Sequence, residues 1–479
     1  MRVLKVLLAV IVFWLVNQIH LPSTFGIRGL NSMNLLVIAA VMLILFVERK
    51  PVVAGLGKLE MPLKWPILFF FFTLGYALII GLLYDRTYLV EDFTVFKTGV
   101  FYIGLYFLFY FAVQDVKTIY RLVAVILLVA ALAGLEAMRE ALDYGLAAYS
   151  ESKRAAGPFG TDYKASNLAA VFFCIFLPLF VAVGFYLRDR PFYRFAAMGG
   201  AALLIFAIFF TYSRQAYLIV AIVLLLMALR KNLVLGLLIS MAIWNYDLWV
   251  PNAAVERVQM TTQSTSSDFG KTTVQVDHST ASRFDLWQGG ARMIQDKPLG
   301  IGLNHWKREI SNYSAYTNLD AHNFYVLISA EAGVLGMISI SWLIAALLLF
   351  ARRNMRLAQS PEAKTLAYGF MGATLALIMG NFYGSRFLNG EVVGNYWVLA
   401  ALVARYFQLA SLAAAAPDAT AEQAAAVQLT ARPATRSASG RRLAGAGAPS
   451  EDEPMFAQAV LNPQSNKPTR DQNGRLLRS

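Results

Sequence analysis

Long apolar runs recur along this chain, separated mostly by short polar gaps. A helix needs about 20 predominantly apolar residues to cross a hydrocarbon core about 30 Å thick. By that measure the pattern predicts spans near 3–19, 30–47, 66–84, 98–113, 119–137, 167–187, 192–211, 215–230, 233–250, 323–351, 365–382 and 393–412. The fourth and eighth are short. The expected fold class is an all-α integral membrane protein with about twelve transmembrane helices. "HLPSTFGIRG" follows the first run without a small-x-small cleavage site, so that run is expected to stay as a span.

Three segments break the rhythm. Residues 138–167 and 251–321 are long and polar, and translocated loops of such length tend to be functional. Within the second, 261–282 is polar and aperiodic and reads as mobile. Residues 283–296 then put Phe284, Trp287, Ala291 and Ile294 at helical spacing, which predicts a short helix on the membrane face, aromatic side down. "DKPLGIG" is a turn, and 303–316 predicts another short helix. The third segment, 413–479, is rich in Ala, small polar residues and scattered charge. It is expected to be a mostly disordered tail following a membrane domain of residues 1–412.

Composition agrees with the spans: 58% of the 479 residues are apolar and 15% charged, against about 25% charged in soluble domains. The net charge of +13 is unevenly placed. Alternate short gaps hold fifteen Lys and Arg, and the intervening short gaps hold five: Arg28, Arg86, Lys97, Arg214 and Arg386. Basic residues collect on the cytoplasmic side. Both termini are therefore expected there and both long loops outside, and the basic excess is orientation signal rather than a nucleic-acid footprint. Cys174 is the lone cysteine, which excludes an internal disulfide and reads as a small buried residue.

The outer ends carry the candidate chemistry. Pro191 to Arg230 is 40 residues, little more than two crossings, so the "TYSRQAY" turn holds Arg214 close to the bilayer. An arginine there is costly unless it snorkels or meets an anion. Arg283, Arg386, Arg86 and Lys97 are on the same side, and guanidinium forks suit phosphate oxygens. His322, in "DAHNFYVLISAEAGVLG", precedes a span; neighbouring cations would hold its imidazole neutral and fit to act as a general base. Asp320 is placed either to orient that ring or to cap the helix, and capping is the better expectation. On a continuous helix Glu331 would face away from His322, and His278 and His305 are weaker candidates. There is no phosphate-binding G-x-x-x-x-G-K-[ST] loop, no HExxH and no Cys/His cluster. No cofactor or metal is expected.

The ordered series "YSRQ", "RFDLWQGGARMIQDKPLGIG" and "AHNFYVLISAEAGVLG" resembles the membrane superfamily of O-antigen ligases, O-antigen polymerases and bacterial O-oligosaccharyltransferases. "GPFGTDYKASNLAAVF" is similar to a segment leading into a middle span there, so the resemblance covers roughly 155–345. It implies a GT-C-type, metal-independent glycosyltransferase of the bacterial inner membrane, working at the periplasmic face. The donor would be a glycan on undecaprenyl diphosphate and, in a ligase, the acceptor a sugar of the lipid A core. Arg214 and Arg283 match the family's diphosphate-binding arginines, and His322 matches its catalytic histidine. Arg386 has no motif behind it and is added on topology alone. A glycan polymerase of the same superfamily is the nearest alternative. A transporter of the lipid-linked glycan is the alternative of another class, but it would want charged residues through both leaflets.

The charge split makes a direct prediction. A cysteine introduced at Ser311 will react with an impermeant thiol reagent from the periplasm, and one at Ser437 will not; labelling of Ser437→Cys from outside would invert the topology.

Overall fold

The computed structural model describes residues 2–22, 31–47, 61–146, 149–160, 165–259, 262–266, 272–276 and 278–430. In chain order its helices are α1 Arg2–Trp14, α2 Ser32–Met42, α3 Lys64–Tyr84, α4 Leu89–Ala112, α5 Val116–Tyr144, α6 Ala165–Tyr186, α7 Pro191–Phe210, α8 Arg214–Lys231 and α9 Leu233–Trp244. They continue as α10 Asn252–Gln259, α11 His278–Asp296, α12 Trp306–Glu309, α13 Phe324–Glu331, α14 Gly333–Leu357, α15 Pro361–Gly380 and α16 Gly390–Thr430. Among the described residues seven helices, α3 to α7, α14 and α15, are long and apolar enough to cross a membrane. This is a helical multi-pass membrane protein. The predicted spans at 3–19, 30–47 and 233–250 are present as shorter helices, and that at 98–113 is the end of the longer α4.

The chain divides into compact units at 1–417 and 418–479. Residues 431–479 of the expected tail lie outside the described residues, while α16 runs on past residue 412.

At the centre of the first unit is α6, buried from Ala169 to Val183 except at Val181. It packs along α15 through small residues. A Cβ at Gly372 would stand 2.4 Å from Pro178 Cβ, and one at Gly369 only 2.6 Å from Leu179 Cδ1. Lipid tails are as apolar as these side chains, so close packing, rather than escape from water, holds such a helix pair together.

One expected span is interrupted. The run 323–351 is two helices, because the chain turns at Ala332 and Gly333, the latter at φ +62°. The terminal carbonyls of α13 are taken by the "PLGIG" turn: Ile301 N donates to Ala330 O and Gly302 N to Glu331 O, both at 3.0 Å. Helix ends leave such carbonyls unpaired within the helix, and here a loop distant in sequence supplies the donors. Leu303 N extends the seam to Ala77 O of α3.

The second long loop is more ordered than its composition predicts. Strands β1 Thr262–Ser266 and β2 Thr272–Val276 pair antiparallel, Thr262 opposite Val276. Helix α11 exists, and one face of it packs against protein. Leu286, Gly290 and Met293 are buried, whereas Phe284 and Ala291 are exposed. Gly290 lets Val326 and Trp306 approach its backbone, so the buried stripe joins a cluster with Ile301, Trp306, Ile310 and Ala330. Protein, not the membrane surface, covers that side of the helix.

Gly302 has φ +103°, and a Cβ there would lie 2.3 Å from Gly81 Cα. Gly302→Ala therefore meets both backbone strain and a backbone clash. Thermal unfolding in detergent will show a loss of roughly 1–3 kcal/mol or more.

Candidate functional site

The turn between α15 and α16 and the starts of α8 and α13 meet at one end of the bundle. The last turn of α15 connects them. Gln215 Nε2 donates to Gly380 O at 2.6 Å, Tyr325 OH to Ile378 O at 2.7 Å and Phe324 N to Asn381 O at 2.9 Å. Asn381 is fully buried, and its Oδ1 accepts Arg386 N at 3.0 Å. Residues adjoining Arg214 and His322, and the backbone of Arg386 itself, are thus hung on the C-terminus of one helix.

These three residues and Arg283 line one cavity of about 440 Å³. Arg154, Arg257 and Lys307 also line it, giving six cations against the carboxylates of Glu151 and Asp320. Arg214 is the first residue of α8, so the positive end of that helix dipole adds to its charge. Arg283 stands 6.0 Å from the Tyr383 ring, and Trp287, whose ring is tilted against Tyr383, donates from Nε1 to Ala321 O. That contact ties α11 to the residue before His322.

His322 is not in a helix. It adopts φ +51°, a left-handed conformation costly for a side chain with a Cβ, as does Tyr212 at φ +49° two residues before Arg214. The helix cap is Asn323, whose Oδ1 accepts from Tyr325 N and Val326 N. The expectation that Asp320 caps α13 is corrected: Asp320 Oδ2 is instead 3.8 Å from His322 Nδ1. The capping position falls after the left-handed turn, leaving Asp320 one turn too early.

Sequence reasoning missed Arg154 and Arg257, which approach from the first long loop and from α10. Arg154 is buried, its Nε donating to Thr211 O at 2.8 Å and Nη2 to Asn167 Oδ1 at 2.8 Å. Glu151 is 3.1 Å from Arg154 Nη1 and 3.4 Å from Arg257 Nη2. Burial would raise the Glu151 carboxyl, but a hydrogen bond from Tyr149 and the two guanidiniums outweigh it and hold it below the usual carboxylate range. Burial also favours loss of charge at Arg154, which the same glutamate opposes. No local motif marks either arginine. The weak signal was their place in the two long polar segments between apolar runs.

Buried polar atoms converge here too. Tyr212 OH, Ser385 Oγ and Arg257 Nε are buried without a hydrogen-bond partner among the described residues, a costly state unless a ligand or water completes them.

Other candidates do not line the cavity. Arg86 is exposed and bonds Leu82 O, and Lys97 also lies outside the lining, so the expected ring of outer cations is wrong at these two members. His305 is buried with Nε2 3.1 Å from Asp92 Oδ2, and Asp92 also accepts from Asn304 at 2.8 Å and Arg308 at 2.9 Å. That cluster pins the segment carrying Lys307 to α4. Glu331 is buried at the end of α13, its Oε1 3.4 Å from Trp306 N. The side chain of His278 lies outside the described residues.

The chain is a membrane protein with a cation-lined, histidine-bearing cavity at one end of an apolar helical bundle, a lining whose charge suits an anion. The family model described as O-antigen ligase matches residues 199–341, and so the recognition drawn from the motif series stands over that segment. Members of this family are glycosyltransferase-like enzymes. The matched segment contains Arg214, Arg257, Arg283, Lys307 and His322; Arg154 and Arg386 lie outside it. No curated protein matches the chain.

Glu151 links pH to the integrity of this site. Its native carboxyl titrates below the unfolded one, near 4.3. Its stabilising contribution is therefore complete above about pH 4.3 and disappears as pH falls through the lower native value. Glu151→Gln will lower the melting temperature at pH 7, and the gap to wild type will close on acidification. A gap that widens in acid contradicts the assignment.

Proposed function

We infer that the protein transfers a glycan from undecaprenyl diphosphate to a hydroxyl of the lipid A core oligosaccharide, as an O-antigen ligase of the GT-C type. The reaction takes place at the periplasmic face of the bacterial inner membrane. The observation that carries this reading is the convergence of six cations and His322 on one cavity at one end of the apolar bundle. Arg214, Arg283 and Arg386 are assigned to the diphosphate, with Arg154 and Arg257 behind them. His322 is assigned as the base.

The chemistry follows from the charges. His322 takes the proton of the acceptor hydroxyl, whose oxygen electron pair forms the new bond to the anomeric carbon. The bond from that carbon to the diphosphate oxygen breaks, and its electron pair leaves with the diphosphate. The guanidiniums stabilise that developing charge in a site of low dielectric. Diphosphate is a good leaving group, so no separate acid is needed. Attack opposite the leaving group inverts the anomeric centre. Asp320, 3.8 Å from the His322 ring, favours the imidazolium that forms.

A polymerase differs only in presenting a second lipid-linked glycan as acceptor, and the same residues would serve it. The transporter reading is less favoured, because the central α6 offers only apolar side chains from Ala169 to Val183.

With purified protein, lipid-diphosphate donor and core acceptor, His322→Ala will retain donor binding while transfer falls by about 10²–10⁴-fold. Arg214→Ala and Arg283→Ala will lose donor affinity and about 10²–10³-fold in rate, and lysine will restore only part because it lacks the fork. Transfer will also persist in excess chelator. Loss of donor binding with normal turnover in His322→Ala would move the histidine to the phosphate site.

A further inference from the structure

A second cavity, of about 470 Å³, adjoins the cation-lined one and shares Lys307, Asp320, Ser385 and Asn389 with it. Its chemistry is different. Away from the shared wall it carries the carboxyl groups of Glu331 and Glu391, and among the described residues Lys307 is its only cation. The rest of its polar lining is amide and hydroxyl, including Gln18, Asn31, Thr98 and Asn304, beside the rings of Tyr102 and Trp306. Carboxylates, amides and hydroxyls hydrogen-bond sugar hydroxyls, and aromatic faces cover the apolar faces of sugar rings. With a lysine as its cation and no arginine fork, this lining offers a diphosphate little to bind.

The same two elements also line an apolar groove. Asn31, the N-cap of α2, lines the polar cavity, while Val37, Val41, Ile44 and Leu45, farther along the same stretch, line a groove of about 380 Å³. On α4, Thr94, Thr98 and Tyr102 line the polar cavity, and Phe101, Gly104 and Leu108 line the groove. Lining that passes from polar to apolar along α2 and α4 fits a ligand that is itself sugar at one end and hydrocarbon at the other.

We propose that this composite site binds the acceptor, a lipid-anchored glycan, with its sugar in the polar cavity and its acyl chains in the groove between α2 and α4. The acceptor hydroxyl reaches His322 across the wall formed by Asp320 and Ser385. Ser385 Oγ is buried there without a hydrogen-bond partner among the described residues and is placed to bond a sugar hydroxyl. The donor diphosphate occupies the cation-lined cavity on the other side. This assignment rests on the transfer reaction inferred above and adds to it where the second substrate binds.

Two substitutions test it without touching the cation-lined cavity. Thr98→Trp fills the polar cavity from a half-buried position. Gly104→Phe fills the groove, where an added Cβ meets nothing within 4 Å. The probes are lipopolysaccharide lacking O-antigen, in detergent micelles, and its deacylated core oligosaccharide. Thr98→Trp will raise the KM for both acceptors by about tenfold or more, and Gly104→Phe will raise it only for the acylated one. Both variants will bind the lipid-diphosphate donor as wild type does, which also reports that they fold. Acceptor KM values unchanged in both variants overturn the proposal. Weakened donor binding with normal acceptor KM also overturns it and assigns the cavity to the donor. Failure of the transfer reading would be seen separately, as no transfer by the wild-type protein or as unaltered rates in His322→Ala and Arg214→Ala. In that case direct binding of the two probes, lowered or not by Thr98→Trp, still decides whether the cavity holds a glycan.

Discussion

The site depends on the carbonyls at the C-terminus of α15. A helix end must find donors for its last carbonyl groups or leave them buried at a cost of about 1–3 kcal/mol each. Here the donors come from Gln215, Phe324 and Tyr325, on α8 and α13. Asn381, at the same helix end, then fixes Arg386 through its side chain. Satisfying one helix terminus therefore sets the mutual placement of Arg214, His322 and Arg386. Because α15 is locked to the buried α6 through Gly369 and Gly372, that placement is referred to the most buried of the seven spans.

A second set of polar contacts brings in the long loop. Asp92 gathers Asn304, His305 and Arg308, while Ile301 and Gly302 cover the end of α13. The segment between them carries Lys307 on the wall between the two cavities. Cations collect in one cavity and carboxylates and amides in the other, so the two sides of that wall suit different ligands. The left-handed backbone at Tyr212 and His322 is held against its intrinsic cost by the same packing.

Much of this was legible in the chain itself. Apolar run lengths gave the order of the crossing helices, and the shortage of carboxylate near the outer turns pointed to an anion site. The motif series picked out Arg214, Arg283 and His322. Other readings failed for local reasons. Asp320 looked like the cap because sequence does not show the left-handed turn at His322, which moves the cap to Asn323. The packed face of α11 was not foreseen, because the approach of Val326 and Trp306 at Gly290 joins segments distant in the sequence. Arg86 and Lys97 share the outer end with Arg214 but not its cavity.

What the sequence determined by itself is a membrane-spanning helical chain with its unusual polar residues at one end, since hydrocarbon admits only long apolar helices and excludes unpaired charge. What the tertiary structure decided is which of those residues meet. Arg154 and Arg257 are about a hundred positions apart, yet they share Glu151 beside the cavity that Arg214 lines. No periodicity or spacing encodes that contact. It follows from packing distant helices against α6 and from the need of each buried carbonyl and guanidinium for a partner, and those partners exist only once the bundle has formed.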